Sequence, residues 1–131
     1  MIDMWIKFNP NPCGRTQVGD CVIRAICAAL DVDWDTAFWM AAYSANRMCD
    51  VISGNAVLSA ILRQNGFNRA AIEDTCPLCY TSEDFCMDHP FGIYVLGFGD
   101  HVCTVIDGNI LDTFDSSQDI PQYYFYKRGE L

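Results

Sequence analysis

A cysteine and a histidine in the sequence have the types and positions that thiol chemistry needs. Cys21 lies in the first turn of a predicted helix, where unpaired N–H groups and the helix dipole favour the reactive thiolate. A thiolate nucleophile also needs a base or an ion-pair partner. His101, one of only two histidines, opens a predicted strand. We therefore predict Cys21 as a nucleophile and His101 as its base.

The pair Asp107-Gly108 predicts a two-residue hairpin turn, which determines what lies beside His101. With this turn, His101 and Asp112 are diagonal neighbours on one face of two paired strands, about 7–8 Å apart at the backbone. A hydrogen bond from imidazole to carboxylate spans that distance and directs the other ring nitrogen toward a nucleophile. Asp112 is therefore predicted to orient His101. A turn shifted by one residue would change the partner, and Asp115 is the alternative.

A second segment has the spacing of zinc ligands. Cys76 and Cys79 form a C-x2-C pair, and Cys86 and His89 follow three residues apart on a short predicted helix. Four such side chains form the closed structural sites that Zn²⁺ prefers. We predict a structural zinc site on these four residues, with Cys49 as an alternative to His89. The competing interpretation is that Cys86 packs in the core while His89 caps its helix.

Length, composition and charge exclude several classes of protein. The sequence is 51% hydrophobic and 19% charged, a composition that can form a hydrophobic core. Its 131 residues suit one domain over residues 1–131 and are too few for two. Eight basic residues against 17 acidic residues give a net charge of -9. Such an acidic chain is a poor candidate for binding a nucleic-acid backbone or an anionic membrane.

The eight cysteines are expected to be reduced thiols. Residues 1–7 carry an acid where a signal peptide carries a basic region, and no apolar stretch approaches membrane-spanning length, so we expect a cytoplasmic protein. The cytosol keeps thiols reduced, and eight cysteines in 131 residues fall below the density of a disulfide scaffold. Outside the two predicted sites, Cys13, Cys27 and Cys103 are assigned to packing.

The hydrophobic pattern places helices first and strands last. Helices are predicted over residues 20–30, from about 34 to 46, from after Ser53 to near Gly66, and from Thr81 to before His89. Strands are predicted over residues 93–98, 101–107, 109–114 and 122–126. Separate blocks of this kind predict an α+β fold, with N-terminal helices packed on a small C-terminal antiparallel sheet. The aromatic last strand is expected at an edge of that sheet.

These features together resemble the papain-like cysteine proteases. The resemblance is carried by Thr16-Gln17-Val18-Gly19-Asp20-Cys21, by Asp100-His101-Val102 and by Asp112-Thr113-Phe114, in that order along the chain. The helix from Gly19 to Ile26 is similar to the active-site helix of ovarian-tumour-type deubiquitinases. The segment His89-Pro90-Phe91-Gly92-Ile93-Tyr94-Val95-Leu96 resembles small papain-fold proteins of bacteria and their phages.

The resemblance implies a papain-like fold and a cysteine-dependent peptidase or isopeptidase with a Cys21-His101-Asp112 triad. It also implies that Gln17 lines the oxyanion hole, for which backbone N–H groups near Cys21 are the alternative. Phe114 would shield the histidine's hydrogen bond from water. Such chemistry needs no cofactor, and the partner would be a peptide or protein. The competing hypotheses are a catalytically inactive binding protein on the same scaffold, such as a phage or prophage effector, and a zinc-stabilised adaptor.

Overall fold

The computed structural model describes residues 4–127, and the rest of the predicted domain, residues 1–3 and 128–131, lies outside the described residues. Within residues 4–127 the chain is mixed α and β, with four helices and six strands. The helices are α1 (Cys21–Leu30), α2 (Trp34–Met48), α3 (Asn55–Gln64) and α4 (Ser82–Asp88). The strands are β1 (Trp5–Lys7), β2 (Phe67–Ala71), β3 (Ile93–Gly97), β4 (Val102–Ile106), β5 (Asn109–Asp112) and β6 (Tyr123–Lys127).

All four predicted helices are confirmed, and two begin at caps that the sequence indicates. The Asp33 side chain accepts a hydrogen bond from the Thr36 N–H at 2.8 Å and so caps α2. Thr81 and Asp84 form a reciprocal capping box at the start of α4. In the part of the chain that the structure describes, no helix is both long and apolar enough to cross a membrane.

The predicted hairpin between β4 and β5 is confirmed in its register. Ile106 pairs with Asn109, and the pairing continues outward without a slip. Asp107 and Gly108 both have positive φ, at 49° and 76°, as a two-residue turn of this type requires. Because the register is fixed by this turn, the end of β5 lies beside the start of β4.

The sheet differs from the predicted antiparallel sheet in composition and direction. Its six strands run in the order β1-β5-β4-β3-β6-β2, and β1 pairs with β5 in parallel. The prediction of a purely C-terminal antiparallel sheet is therefore wrong, because β1 and β2 come from earlier in the chain. The edge position predicted for the aromatic strand is also wrong, since β6 lies between β3 and β2. A strand paired on both sides accommodates aromatic side chains on both faces.

Helix α1 lies at the centre of the core. Eight of its ten residues are buried, and it packs against α2, α3 and the sheet. The Thr104 hydroxyl on β4 donates a hydrogen bond of 3.0 Å to the Ala25 carbonyl of α1. Burial on nearly all sides explains why this segment is almost wholly apolar. The packing brings the N-terminus of α1 to the end of the sheet where β4 begins and β5 ends.

Candidate active site

Cys21 is the first residue of α1 and is half-buried. The N–H groups of the first helical turn have no acceptor within the helix. The preceding Asp20 is the N-cap residue, yet its side chain makes no capping hydrogen bond. This carboxylate is instead bonded by Arg24 and by the Trp34 indole N–H. The Asp20 side chain therefore does not cap α1, and the partial positive charge of the helix N-terminus acts on the Cys21 thiol, as the sequence predicts.

His101 lies in the turn between β3 and β4, directly before Val102. The Phe98 N–H donates to the His101 carbonyl at 2.8 Å and closes this turn. The ring Nε2 lies 2.6 Å from Asp112 Oδ2, which leaves Nδ1 as the ring nitrogen available to Cys21. The Phe114 ring lies against the imidazole with centroids 4.9 Å apart. Phe114 therefore covers the histidine, in the position that the resemblance implies.

Asp112 is the last residue of β5 and only 1% exposed. Its Oδ2 also accepts from the Ser116 hydroxyl at 3.1 Å, while Oδ1 accepts from the Thr113 N–H at 2.8 Å and lies 3.6 Å from Arg24 Nη2. Each of the two oxygens of this carboxylate therefore has two polar partners. The alternative, Asp115, is nearly fully exposed and accepts from the Ser117 N–H at 3.0 Å.

The hydrogen bonds between these side chains favour a thiolate beside an imidazolium. Burial alone would raise the pKa of the Cys21 thiol, but the hydrogen bond with His101, the Val102 N–H and the charges of His101 and Arg24 together lower it. Burial alone would lower the pKa of His101, but hydrogen bonds and negative charge from Asp112 and Cys21 raise it to about 9. The two shifts are opposite in direction, as in an ion pair.

Cys21 and His101 face a cleft of about 290 Å³. It is lined by Gly19, Cys21, Val22, Ser53, Asn55, Asp100, His101 and Val102. Gln17, the predicted oxyanion-hole residue, is exposed in the preceding loop and is not among these lining residues. Asn55 at the start of α3 is among them and was not predicted. The sequence carries no signal for Asn55, because tertiary packing brings α3 to the cleft.

The four predicted zinc ligands do not converge. Cys76 and Cys79 are exposed on a turn, whereas Cys86 is buried in the core. The His89 ring stacks on Phe85 at 3.9 Å between centroids, and its Nδ1 lies 2.9 Å from the Phe85 carbonyl. Among residues 4–127, no group of three or more His, Cys, Asp or Glu side chains is placed to hold a metal ion. The arrangement of Cys86 and His89 matches the competing interpretation, in which one packs and the other ends the helix.

Metal analysis of protein purified without added zinc is expected to find less than about half an equivalent per chain. The physical reason is that the four ligands of a structural site must converge on one point, whereas Cys76 and Cys79 are exposed and Cys86 is buried in the core. The measurement is elemental analysis by mass spectrometry, with a Cys76→Ser/Cys79→Ser variant as the control. One equivalent in the wild type that disappears in this variant would contradict the expectation and restore the predicted zinc site.

The remaining cysteines divide into buried and exposed thiols. Cys27 and Cys103 are buried, and burial raises the pKa of the Cys27 thiol to about 11, so the assignment to packing holds for both. Cys13 is exposed, and the same assignment is wrong for it, because its turn lies on the surface. The alternative zinc ligand, Cys49, ends α2 in a left-handed conformation and is also exposed. Of these four thiols, none lines the cleft of Cys21.

Comparisons of the chain with protein-family models, with curated proteins and with solved structures found no match. The class of site is therefore defined by its own geometry. A half-buried thiol at a helix N-terminus shares a cleft with an imidazole that lowers its pKa, and a ring nitrogen of that imidazole is held by a buried carboxylate. This arrangement is suited to nucleophilic catalysis by a thiolate.

Proposed function

We propose that this chain is a cysteine-dependent hydrolase with a papain-like scaffold, acting on a peptide or isopeptide bond. The observation that supports the proposal is that Cys21, at the open end of α1, lines one cleft with His101, which is hydrogen-bonded to the buried Asp112. Nucleophile and base line the same cleft, the base lowers the pKa of the nucleophile, and a third group orients the base. The chain order of helix-borne cysteine, histidine and carboxylate on the next strand is the order that papain-like enzymes share.

The reaction follows from where the protons lie. The Cys21 thiolate attacks the carbonyl carbon, and its electron pair forms a C–S bond while the C=O π pair moves to oxygen. The C–N bond then breaks, and the His101 imidazolium gives its proton to the leaving amine. Neutral His101 next takes a proton from water, whose oxygen attacks the thioester and releases the acid and the Cys21 thiolate. Asp112 accepts from Nε2 throughout and holds Nδ1 toward the thiol.

The negative oxygen of the intermediate needs hydrogen-bond donors in the same cleft. The first-turn N–H groups of α1 supply one set, because they have no acceptor within the helix. The Asn55 side chain supplies a second donor, since Asn55 lines the same cleft at the start of α3. We therefore assign to Asn55 the part that the resemblance gave to Gln17.

The substitutions Asn55→Ala and Gln17→Ala are expected to differ sharply in effect. Loss of one donor to the developing oxyanion costs roughly 100-fold in kcat in well-studied hydrolases, and about tenfold to a hundredfold is expected for the exposed Asn55. Gln17→Ala should change kcat by less than about twofold, because Gln17 does not line the cleft. The measurement is steady-state hydrolysis of the peptide that the wild type cleaves best. The reverse order of effects would return the role to Gln17.

The proposal as a whole is tested by the reactivity of Cys21 toward iodoacetamide as a function of pH. Peptide mass mapping assigns the label, because seven other thiols compete. An ordinary thiol ionises with a pKa of about 8.5, whereas a thiol paired with imidazolium reacts at a much lower pH. We expect rapid labelling of Cys21 at pH 5 to 6. Labelling that rises only above pH 8 would leave an ordinary cysteine and contradict the proposed function.

A further inference from the structure

Arg24 is a charged residue on the buried helix α1, three positions after Cys21. It is only 7% exposed, and its helix neighbours Val22 to Ala29 are otherwise apolar and buried. An isolated cation in such a position is strongly unfavourable, because it loses its hydration. Arg24 must therefore be compensated by buried negative charge.

Two carboxylates provide that compensation. Arg24 Nη1 is hydrogen-bonded and ion-paired to Asp20 Oδ1, and Nη2 lies 3.6 Å from Asp112 Oδ1. The other oxygen of Asp20 accepts from the Trp34 indole N–H at 3.0 Å, which fixes this carboxylate against α2. Among residues 4–127, no buried side-chain nitrogen or oxygen lacks a hydrogen-bond partner. The guanidinium thus joins two carboxylates in a closed network.

The network connects the two elements that carry the proposed nucleophile and the carboxylate. Asp20 and Arg24 belong to the first turns of the Cys21 helix, whereas Asp112 ends β5 and bonds His101 at 2.6 Å. Asp112 Oδ1 faces Arg24 while Oδ2 faces His101, so the guanidinium charge acts together with the Thr113 N–H to hold the carboxylate in this orientation. A planar guanidinium has donors on two sides and bonds both carboxylates together, which a lysine ammonium does less well.

We propose that Arg24 is a positioning residue, which orients Asp112 and through it His101 toward Cys21. The inference rests on the proposed function, because it assigns Arg24 a part in forming the same reactive thiolate. Arg24 does not line the cleft and so touches no substrate. Its effect passes through Asp112 and through its positive charge near the Cys21 sulfur.

The test is the pH dependence of Cys21 alkylation by iodoacetamide in the variants Arg24→Gln and Arg24→Lys. Arg24→Gln is expected to move the titration of Cys21 to higher pH by about one unit, which slows labelling by about tenfold at pH values below the titration of the wild type. Arg24→Lys keeps the charge but not the two-sided contact, so its labelling rate should lie between those of the wild type and Arg24→Gln. Arg63→Gln is the matched control, because Arg63 is exposed on α3 and bonds only Ser59 among the described residues.

The outcomes separate this inference from the proposed function. If Arg24→Gln does not fold, the Arg24→Lys variant, which retains the buried charge, tests the positioning role by itself. A profile of Arg24→Lys that coincides with those of the wild type and Arg63→Gln would overturn the positioning role. The proposed function would still stand in that case, provided that wild-type Cys21 labels rapidly at pH 6. A wild type with no reactivity at that pH would overturn both.

Discussion

Cys21→Ala is expected to abolish hydrolysis, with a loss of at least about 10⁴-fold in kcat, the scale seen when a catalytic nucleophile is removed. The reason is that Cys21 carries the only thiol among the described residues that line the cleft, and His101 lowers the pKa of that thiol. The fold should be retained, because Cys21 is only half-buried and alanine is the best helix former. The measurement is turnover of a library of fluorogenic peptides, with circular dichroism to verify that the variant is folded.

Cys49→Ala is the matched control for this experiment. Cys49 is a free thiol like Cys21, but it is exposed at the end of α2, away from the cleft. Its removal should leave kcat within about twofold, in line with other surface substitutions. Hydrolysis that persists in folded Cys21→Ala would contradict the proposed function. The inactive binding protein that the sequence left as an alternative would then be the better interpretation.

His101→Ala is expected to remove the low-pH reactivity of Cys21. An ordinary thiol is only about 0.3% thiolate at pH 6, so loss of the imidazolium partner should slow alkylation there by more than about tenfold. The direction follows from the pKa shifts: His101 lowers the pKa of the Cys21 thiol, and removing it leaves the effect of burial, which raises that pKa. The measurement is the alkylation rate of Cys21 between pH 5 and 10.

The same pair of groups also sets an upper limit on the pH of turnover. The pKa of His101 is about 9, so the imidazolium persists through neutral pH and loses its proton as the pH rises through that value. The leaving amine then lacks its proton donor, and hydrolysis should fall above pH 9 while alkylation stays fast. His89→Ala is the control for His101→Ala, because the His89 ring stacks on Phe85 and does not line the cleft. Equal loss of reactivity in the His89 and His101 variants would indicate a general structural effect and contradict the pairing.

The elements that could be predicted from sequence are those with strong local signals. The helices have apolar periodicity and caps, and the β4–β5 hairpin has a turn in which both residues adopt positive φ. Strand β1 is three residues long and β2 reads Phe-Asn-Arg-Ala-Ala, so neither has an alternating or β-branched pattern. These two become strands because they pair with the free edges of β5 and β6. That stabilisation is tertiary and leaves no local signal.

The site residues that the hairpin register positions could be predicted from sequence. Those that tertiary packing brings to the site could not. Pairing the residues of β4 and β5 outward from the two-residue turn places Asp112 beside His101. Asn55 and Ser116 reach the site from segments whose approach no local pattern indicates. Arg24 did carry a signal, since one charged residue within an otherwise apolar helix implies a buried partner. Its partners could be found only from the tertiary contacts.

Strand β1 also holds the backbone of Asp112 in place. The Trp5 indole N–H and the Phe8 N–H both donate to the Asp112 carbonyl, at 3.1 and 2.8 Å, and Trp5 and Asp112 are 107 positions apart in the chain. Contacts between such distant positions raise the contact order and slow folding, since a long loop must close before they form. During synthesis, Trp5 and Phe8 leave the ribosome long before Asp112 does. A nascent chain would therefore carry the Cys21 thiol well before it could assemble the groups that ionise it, so the proposed hydrolytic activity would begin only after Asp112 has left the ribosome.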